Sequence, residues 1–406
     1  MHSYLIFLTS NARWLIGGFL LCFFSSFGQT FFIALSGGQI RAEYGLSNGE
    51  WGGLYMVATL ASALTLPTIG RIVDVLSVSK TVLIVIPMLA VACFLMSIST
   101  SWVLLGATIY LLRLFGQGMM THISITAMGK WYAGHRGRAV SLATLGHQTG
   151  EALLPIAMVI AFGWLGWRGS WAGAGILLLV MALPLIFILM SIERQPRTTD
   201  KEAKPRITKD WTRSEVLRDP LFWLLCLGVL APAFIGTTIF FHQAYLLEIR
   251  GWPPEAFASA FIVMACMTIL FGLISGFLVD RFGSLRVLPF YFLPLALACF
   301  SLASINEAYG IFVFMGFLGV SYGISSTLFG SIWPEIYGTL HLGSIRSVTV
   351  AMMVFSSALG PGVTGLLIDQ DVSYISQIFV MGVYCLAASV VMLFVSRKLI
   401  ARVGPN

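Results

Sequence analysis

Long apolar runs separated by short polar segments make up most of this chain. A helix needs about 20 apolar residues to cross a bilayer. Twelve runs reach that length: 14–40, 51–73, 81–100, 102–128, 138–162, 169–192, 221–248, 256–279, 286–305, 308–336, 346–368 and 373–396. The pattern predicts an all-α integral membrane protein with twelve transmembrane helices. The longest hydrophilic stretch, Glu193–Asp219, carries eight basic and six acidic residues and divides the runs six and six. Its mixed charge reads as a solvated connector. The expected organisation is a six-helix half over 1–192, a cytoplasmic linker over 193–220 and a second six-helix half over 221–406.

Composition supports the membrane reading. Only 10% of the 406 residues are charged and 58% are hydrophobic, whereas a soluble domain carries about 25% charged residues. So few charges could not cover a water-facing surface. Basic residues concentrate on the cytoplasmic side of membrane proteins. With both termini inside, 20 of the 24 lysines and arginines fall in inner segments. Only Arg41, Arg168 and Arg250 fall in outer ones, and Arg113 alone lies within a span. That asymmetry sets the expected orientation. It also accounts for the net charge of +7 through anionic lipid headgroups, with no nucleic acid partner. The six cysteines stand singly in apolar runs, which argues against a disulfide framework or a metal site. The first apolar run after Arg13 is too long for the core of a signal peptide, so none is expected.

The two halves repeat. Gly70, Asp74 and Lys80 follow the second run, and Gly276, Asp280 and Arg286 follow the eighth, each 206 residues later. Gly28-Gln-Thr-Phe-Phe resembles Gly236-Thr-Thr-Ile-Phe-Phe, and the segments end in Ile40-Arg41 and Ile249-Arg250. Arg138 and Arg346 open the fifth and eleventh runs at a similar offset. Internal symmetry of this kind is common in transporters.

With these features the chain resembles the major facilitator superfamily over nearly its whole length. The second copy of the loop signature keeps Asp280, Arg281 and Gly283; the first has Val75 and Ser77 where Arg and Gly are usual. A fourth-span motif of the family appears as Arg113-Leu-Phe-Gly-Gln117-Gly118. The resemblance implies alternating access, with Gly70, Asp74, Lys80, Gly276, Asp280, Arg281 and Arg286 acting in the inner gate. Physically, the two glycines permit close helix approach. The two carboxylates sit at helix C-termini, where they need a cation or another helix's N-terminus.

Ionisable groups inside a bilayer cost roughly 2.5–3.5 kcal/mol each and usually face a cavity. The deep candidates are Arg113, His122, His147, Glu151 and His242. At about 1.5 Å of rise per residue, Arg113 lies roughly 22 Å above the inner end of its span and Glu151 roughly 20 Å. An Arg113–Glu151 pair is therefore plausible. His147 lies one turn below Glu151 on the same face. Glu151 and His147 are candidates for proton coupling, and Arg113, Gln117, His147 and His242 for substrate binding. His122 is out of phase with Arg113 and reads as structural. Gly146 and Gly150 form a GxxxG face, and Pro361 is expected to interrupt the eleventh span.

Within the superfamily, Arg41–Trp51 and Trp131–Pro155 look most similar to the monocarboxylate porter and oxalate–formate antiporter group. That group carries an arginine where this chain has Gly272, and often a first-span lysine that is missing here. The expectation is a proton-coupled secondary transporter of a small organic anion, working as a monomer in a bacterial inner membrane. No enzyme motif is present, and neither a cofactor nor a metal is implied. Two other readings fit the spans: proton-driven efflux of amphipathic compounds, and a receptor or scaffold that does not transport.

Overall fold

The computed structural model describes residues 2–70, 72–132, 136–194, 210–338 and 341–403. Side chains at 2–6, 74, 130, 136–138, 280, 342–344, 346–347 and 403 lie outside the described set. The proposed gate carboxylates of Asp74 and Asp280 are among these, as are the side chains of Arg138 and Arg346. All regular structure among the described residues is helical. The chain forms two compact units, one of residues 1–46 with 54–204, the other of residues 47–53 with 205–406.

In the first unit, α1 (His2–Phe24) leads into a tight 3₁₀ turn at Ser25–Gly28, then α2 (Thr30–Ile33) and α3 (Gly37–Tyr44). Next come α4 (Asn48–Ile69), α5 (Ile72–Val75), α6 (Val78–Ile98) and α7 (Trp102–Leu111). A π-helical segment, Leu112–Met120, joins α7 to α8 (Thr121–Trp131). Then follow α9 (Arg136–Leu177), a second π segment at Leu178–Ala182, and α10 (Leu183–Met190). The second unit contains α11 (Arg213–Leu217), α12 (Pro220–Phe241), α13 (Gln243–Arg250), α14 (Pro254–Phe282) and α15 (Ser284–Val287). It ends with α16 (Phe292–Ser304), α17 (Tyr309–Tyr337), α18 (Leu342–Asp369) and α19 (Tyr374–Val403).

Eleven helices among the described residues are long and apolar enough to cross a membrane. One of these, Ala139–Met190, is 52 residues long, more than twice the roughly 20 needed for one crossing. Gly166 breaks it with φ 66° and ψ 170°, a conformation open to glycine and strained for other residues. The segment thus supplies two crossings, and the total is the twelve expected.

Two expectations are corrected. The first apolar span is Phe7–Gly28, not 14–40. The polar and small residues of Ser25-Ser-Phe-Gly-Gln-Thr30 break the helix, and Gln29 is extended with φ −81° and ψ 152°. Pro361 does not interrupt the eleventh span, because α18 runs through it to Asp369. The six cysteines are unpaired.

The repeat seen in the sequence has a structural counterpart at both ends of each unit. At one end, the Arg194 guanidinium donates to Asn11 Oδ1 at 3.0 Å and to the Trp131 carbonyl, and lies 4.1 Å from the Tyr132 ring centre. In the second unit Arg402 donates to both Asp219 oxygens, at 2.5 and 3.2 Å, and lies over Trp211. Asn11 and Asp219 are 208 residues apart, as are Arg194 and Arg402. Burial pushes the Asp219 carboxyl up, but hydrogen bonds from Arg402, Tyr337 and the Leu221 N–H outweigh it and hold the group below the usual carboxylate range. At the other end, the Tyr44 hydroxyl donates to the Ser99 carbonyl at 2.6 Å, and the Trp252 indole to the Asn306 carbonyl at 2.8 Å. The eight-residue helices α3 and α13 end on Gly45 and Gly251, at φ 65° and 63°. Glycine tolerates this left-handed cap without a Cβ clash.

Candidate substrate-binding site

In the first unit, the 3₁₀ turn after α1 packs against both the π segment after α7 and α9. The approach depends on glycine. A Cβ on Gly28 would lie 2.1 Å from the Leu112 carbonyl oxygen and 2.7 Å from the Gly116 Cα, and one on Gly116 would lie 2.6 Å from the Gly28 Cα. Backbone therefore touches backbone where the first and fourth spans cross. A π segment winds wider than an α-helix and is frequent at functional sites. Here it carries Arg113 and Gln117.

Arg113 is only 4% exposed. Its Nη1 donates to the Gly28 carbonyl at 3.3 Å and to Thr30 Oγ1 at 3.2 Å, and its guanidinium lies 5.4 Å from the Tyr55 ring centre. Thr30 Oγ1 also bonds the Tyr55 hydroxyl at 2.5 Å. Among the described residues no ion pair joins Arg113 to Glu151. The pair anticipated from matching depth is absent, because depth along a helix says nothing about direction around it. Arg113 instead turns toward the broken end of the first span.

Glu151 and His147 lie one turn apart on α9, both part-exposed. His147 makes two long contacts, from Nδ1 to Ser25 Oγ at 3.4 Å and from Nε2 to Thr121 Oγ1 at 3.5 Å. It so bridges the first, fourth and fifth spans. The GxxxG face does pack: a Cβ on Gly146 would lie 2.1 Å from the Phe19 carbonyl oxygen, and one on Gly150 2.2 Å from Ser26 Oγ. The structure gathers Arg113, Gln117, His147 and Glu151 on these adjoining elements. Their neighbours Ser25, Ser26, Thr30, Tyr55, Thr121 and Gln148 were not singled out from the sequence. The signal was there in Ser25-Ser-Phe-Gly-Gln-Thr30, a polar and small run inside an apolar span. Among the described residues, no cluster of three or more histidines, cysteines or carboxylates could hold a metal.

The other candidates lie elsewhere. His242 belongs to the second unit and is 2% exposed. Its Nε2–H bonds the Pro361 carbonyl at 3.0 Å, and its ring meets Phe241 and Tyr374. This is a hydrogen-bonded core histidine rather than a cavity wall. His122 sits by Gly70, with Nε2 at 3.4 Å from where a Cβ would be. Gly70 is buried, and Lys80, Arg281 and Arg286 are exposed. A Cβ on Gly276 would meet nothing within 4 Å, so the close helix approach expected there is not formed. Each signature loop is instead followed by a helix whose N-terminus meets a glutamate. Glu193 accepts from the Val78 N–H at 3.1 Å, and Glu335 from the Ser284 N–H at 3.2 Å.

Eleven long apolar helices among the described residues, one of them broken into two crossings at Gly166, define a multi-pass membrane protein. Residues 18–361 and 244–405 match the profile of the Major Facilitator Superfamily, and the chain belongs to that family of transporters. A relative in Aspergillus niger, the MFS-type transporter pynF, is 22% identical over 374 residues, covering 88% of this chain and 80% of that one. Two solved structures share the fold, both of a bacterial homolog of the human lysosomal transporter Spinster in an inward-facing conformation. The unoccupied form has a TM-score of 0.73 at 17% identity, covering 98% of this chain and 99% of the other. The occupied form has a TM-score of 0.74 at 17% identity, covering 97% and 98%.

Proposed function

We propose that this transporter carries a small carboxylate anion across a bacterial inner membrane, coupled to protons, and works as a monomer. One observation carries the reading. Among the described residues, Arg113 is a buried guanidinium in a membrane span with no carboxylate partner, and its Nε has no hydrogen-bond acceptor. A buried charge calls for a partner, and a guanidinium matches a carboxylate through two parallel hydrogen bonds. An anionic substrate supplies that partner. Glu151, with no ion pair among the described residues, is the group assigned to take up and release the coupled proton. Alternating access is assigned to movement of the halves 1–192 and 221–406 about the linker 193–220, with Asp74 and Asp280 in the inner gate. The likeness to the monocarboxylate porter group supports the substrate class, although Gly272 stands where that group has an arginine.

The test is uptake into proteoliposomes under an imposed pH gradient. Wild-type protein should accumulate a labelled carboxylate. Glu151→Gln should lose gradient-driven accumulation and keep exchange of internal for external substrate. Gradient-driven accumulation by Glu151→Gln at the wild-type level refutes the proton assignment. Expulsion of amphipathic cations without carboxylate flux would favour efflux instead.

A further inference from the structure

The first turns of α4 do not belong with the rest of that helix. Residues 47–53 fall in the second unit, and residues from Leu54 onward in the first. Their contacts with α18 are therefore internal to the second unit. Ser47 caps α4: its Oγ accepts from the Glu50 N–H at 3.1 Å, and Glu50 Oε2 accepts from the Ser47 N–H at 2.9 Å. The same Ser47 hydroxyl donates to Asp369 Oδ2 at 2.6 Å, and the Gly49 N–H donates to that oxygen at 2.8 Å. Asp369 is the last residue of α18. Glycine lets the two backbones meet behind it. A Cβ on Gly52 would lie 2.4 Å from the Pro361 carbonyl oxygen, and one on Gly365 would lie 2.3 Å from the Asn48 carbonyl oxygen.

A carboxylate at the C-terminus of its own helix is badly placed, and another helix's N-terminus relieves it. Asp369 finds that relief on α4, at the end opposite the signature loop at Gly70. The contact is not part of the repeat. At the offset of 206, Gly49, Gly52, Gly365 and Asp369 correspond to Glu255, Ala258, Val159 and Gly163. A contact needed to build a six-helix half would recur in both, as the arginine contacts of Arg194 and Arg402 do. It is also easy to undo. Asp369 is exposed, so a released carboxylate returns to water and leaves no buried charge behind. Resting on the alternating-access reading above, we propose that Asp369 is a latch in the transport cycle. It holds the first turns of α4 on α18 in one state and frees them in the other.

Asn48 is 8% exposed, and Asn48→Cys reports on the latch in a chain whose exposed Cys266 is replaced by serine. The rate of maleimide labelling is measured on the purified full chain in detergent. Asp369→Asn removes the charge from hydrogen bonds that water partly screens, so labelling should rise about two- to tenfold. Gly53→Ala, where a Cβ would meet nothing within 4 Å, should leave the rate unchanged. A rate unchanged by Asp369→Asn overturns the latch. A second variant, Ser47→Cys with Asp369→Cys, tests its role in transport. Bridging the pair with a short bifunctional thiol reagent should stop uptake of labelled lactate into proteoliposomes, and reduction should restore it. Uptake by the bridged protein at the unbridged rate overturns the latch and leaves the carboxylate reading standing. No lactate uptake before bridging counts against the carboxylate reading, and the labelling rates then decide the latch.

Discussion

Replacing Arg113 with methionine separates an anion anchor from a structural strut. The substitution keeps an unbranched side chain of similar length and removes the charge. The folded state loses two hydrogen bonds, at 3.3 and 3.2 Å, and the contact with Tyr55 at 5.4 Å. Both bonds are at the long end of the range, so about 1 kcal/mol each is a fair value. The cation–π contact adds about 0.5–2 kcal/mol. Thr30 Oγ1 keeps the Tyr55 hydroxyl as a partner. Against these losses, the variant no longer holds an unpaired charge in the membrane, a relief of roughly 2.5–3.5 kcal/mol. The two sides nearly cancel, and thermal unfolding in detergent should shift by no more than the equivalent of about 2 kcal/mol. Binding behaves differently. Removing one side of a buried charge pair costs about 3–5 kcal/mol, a loss of anion affinity of a hundredfold or more. Calorimetry with the carboxylate used in the uptake assay, set beside the melting curve, reads both quantities. Anion affinity within about tenfold of wild type would refute the anchor role. A collapse of the fold would make Arg113 a strut. Because Arg113 and Glu151 are not paired, adding Glu151→Gln should be additive in stability to within about 0.5 kcal/mol.

Further outcomes follow from other contacts. Gly28→Ala places a methyl group against backbone at 2.1 Å, so it should cost at least the 1–3 kcal/mol typical of overpacking and weaken carboxylate binding; unchanged melting and affinity would contradict the close crossing. Arg402→Ala leaves the buried Asp219 carboxylate without its cation, and since the Arg402 side chain is 34% exposed the loss should be about 1–2 kcal/mol at neutral pH. The Asp219 carboxyl titrates below its unfolded value, so its contribution is present above about pH 4 and is lost as pH falls through the folded value. Acid unfolding of Arg402→Ala should therefore begin at higher pH than in wild type, with the two curves converging in strong acid; parallel curves at every pH would rule this out. Asp280→Asn should raise labelling of a cysteine introduced near Arg113 by a probe added from the cytoplasmic side, and unchanged labelling and flux would remove Asp280 from the gate.

The spans were legible because twenty-odd apolar residues in a row have few alternatives. The lone charge of Arg113 marked the site, because a cation inside a span is too costly to be incidental. Its partner was not legible. Residue counting gives depth and an ideal helical phase, but the π segment at Leu112–Met120 changes that phase and aims Arg113 at Gly28 and Thr30 rather than at Glu151. The break after Phe24 was hidden by the hydrophobicity of the run, although its serines, glycine, glutamine and threonine lay in view. His242 carried no signal separating a cavity wall from a core hydrogen bond, because its acceptor, the Pro361 carbonyl, lies 119 residues away in sequence.

The arginine contacts at Asn11 and Asp219 also bear on the order of synthesis. Arg194 is made near the close of the first unit, before residues 205–406 of the second. At roughly 5–20 residues per second, the next 208 residues, up to Arg402, take about 10–40 s more. Asp219, made 25 residues into that interval, waits at the head of α12 for its cation through the remaining 183 residues. The two units thus carry matching clasps but differ in exposure to error. A stop anywhere between Arg194 and Arg402 leaves the first clasp whole and deprives the second unit of its arginine.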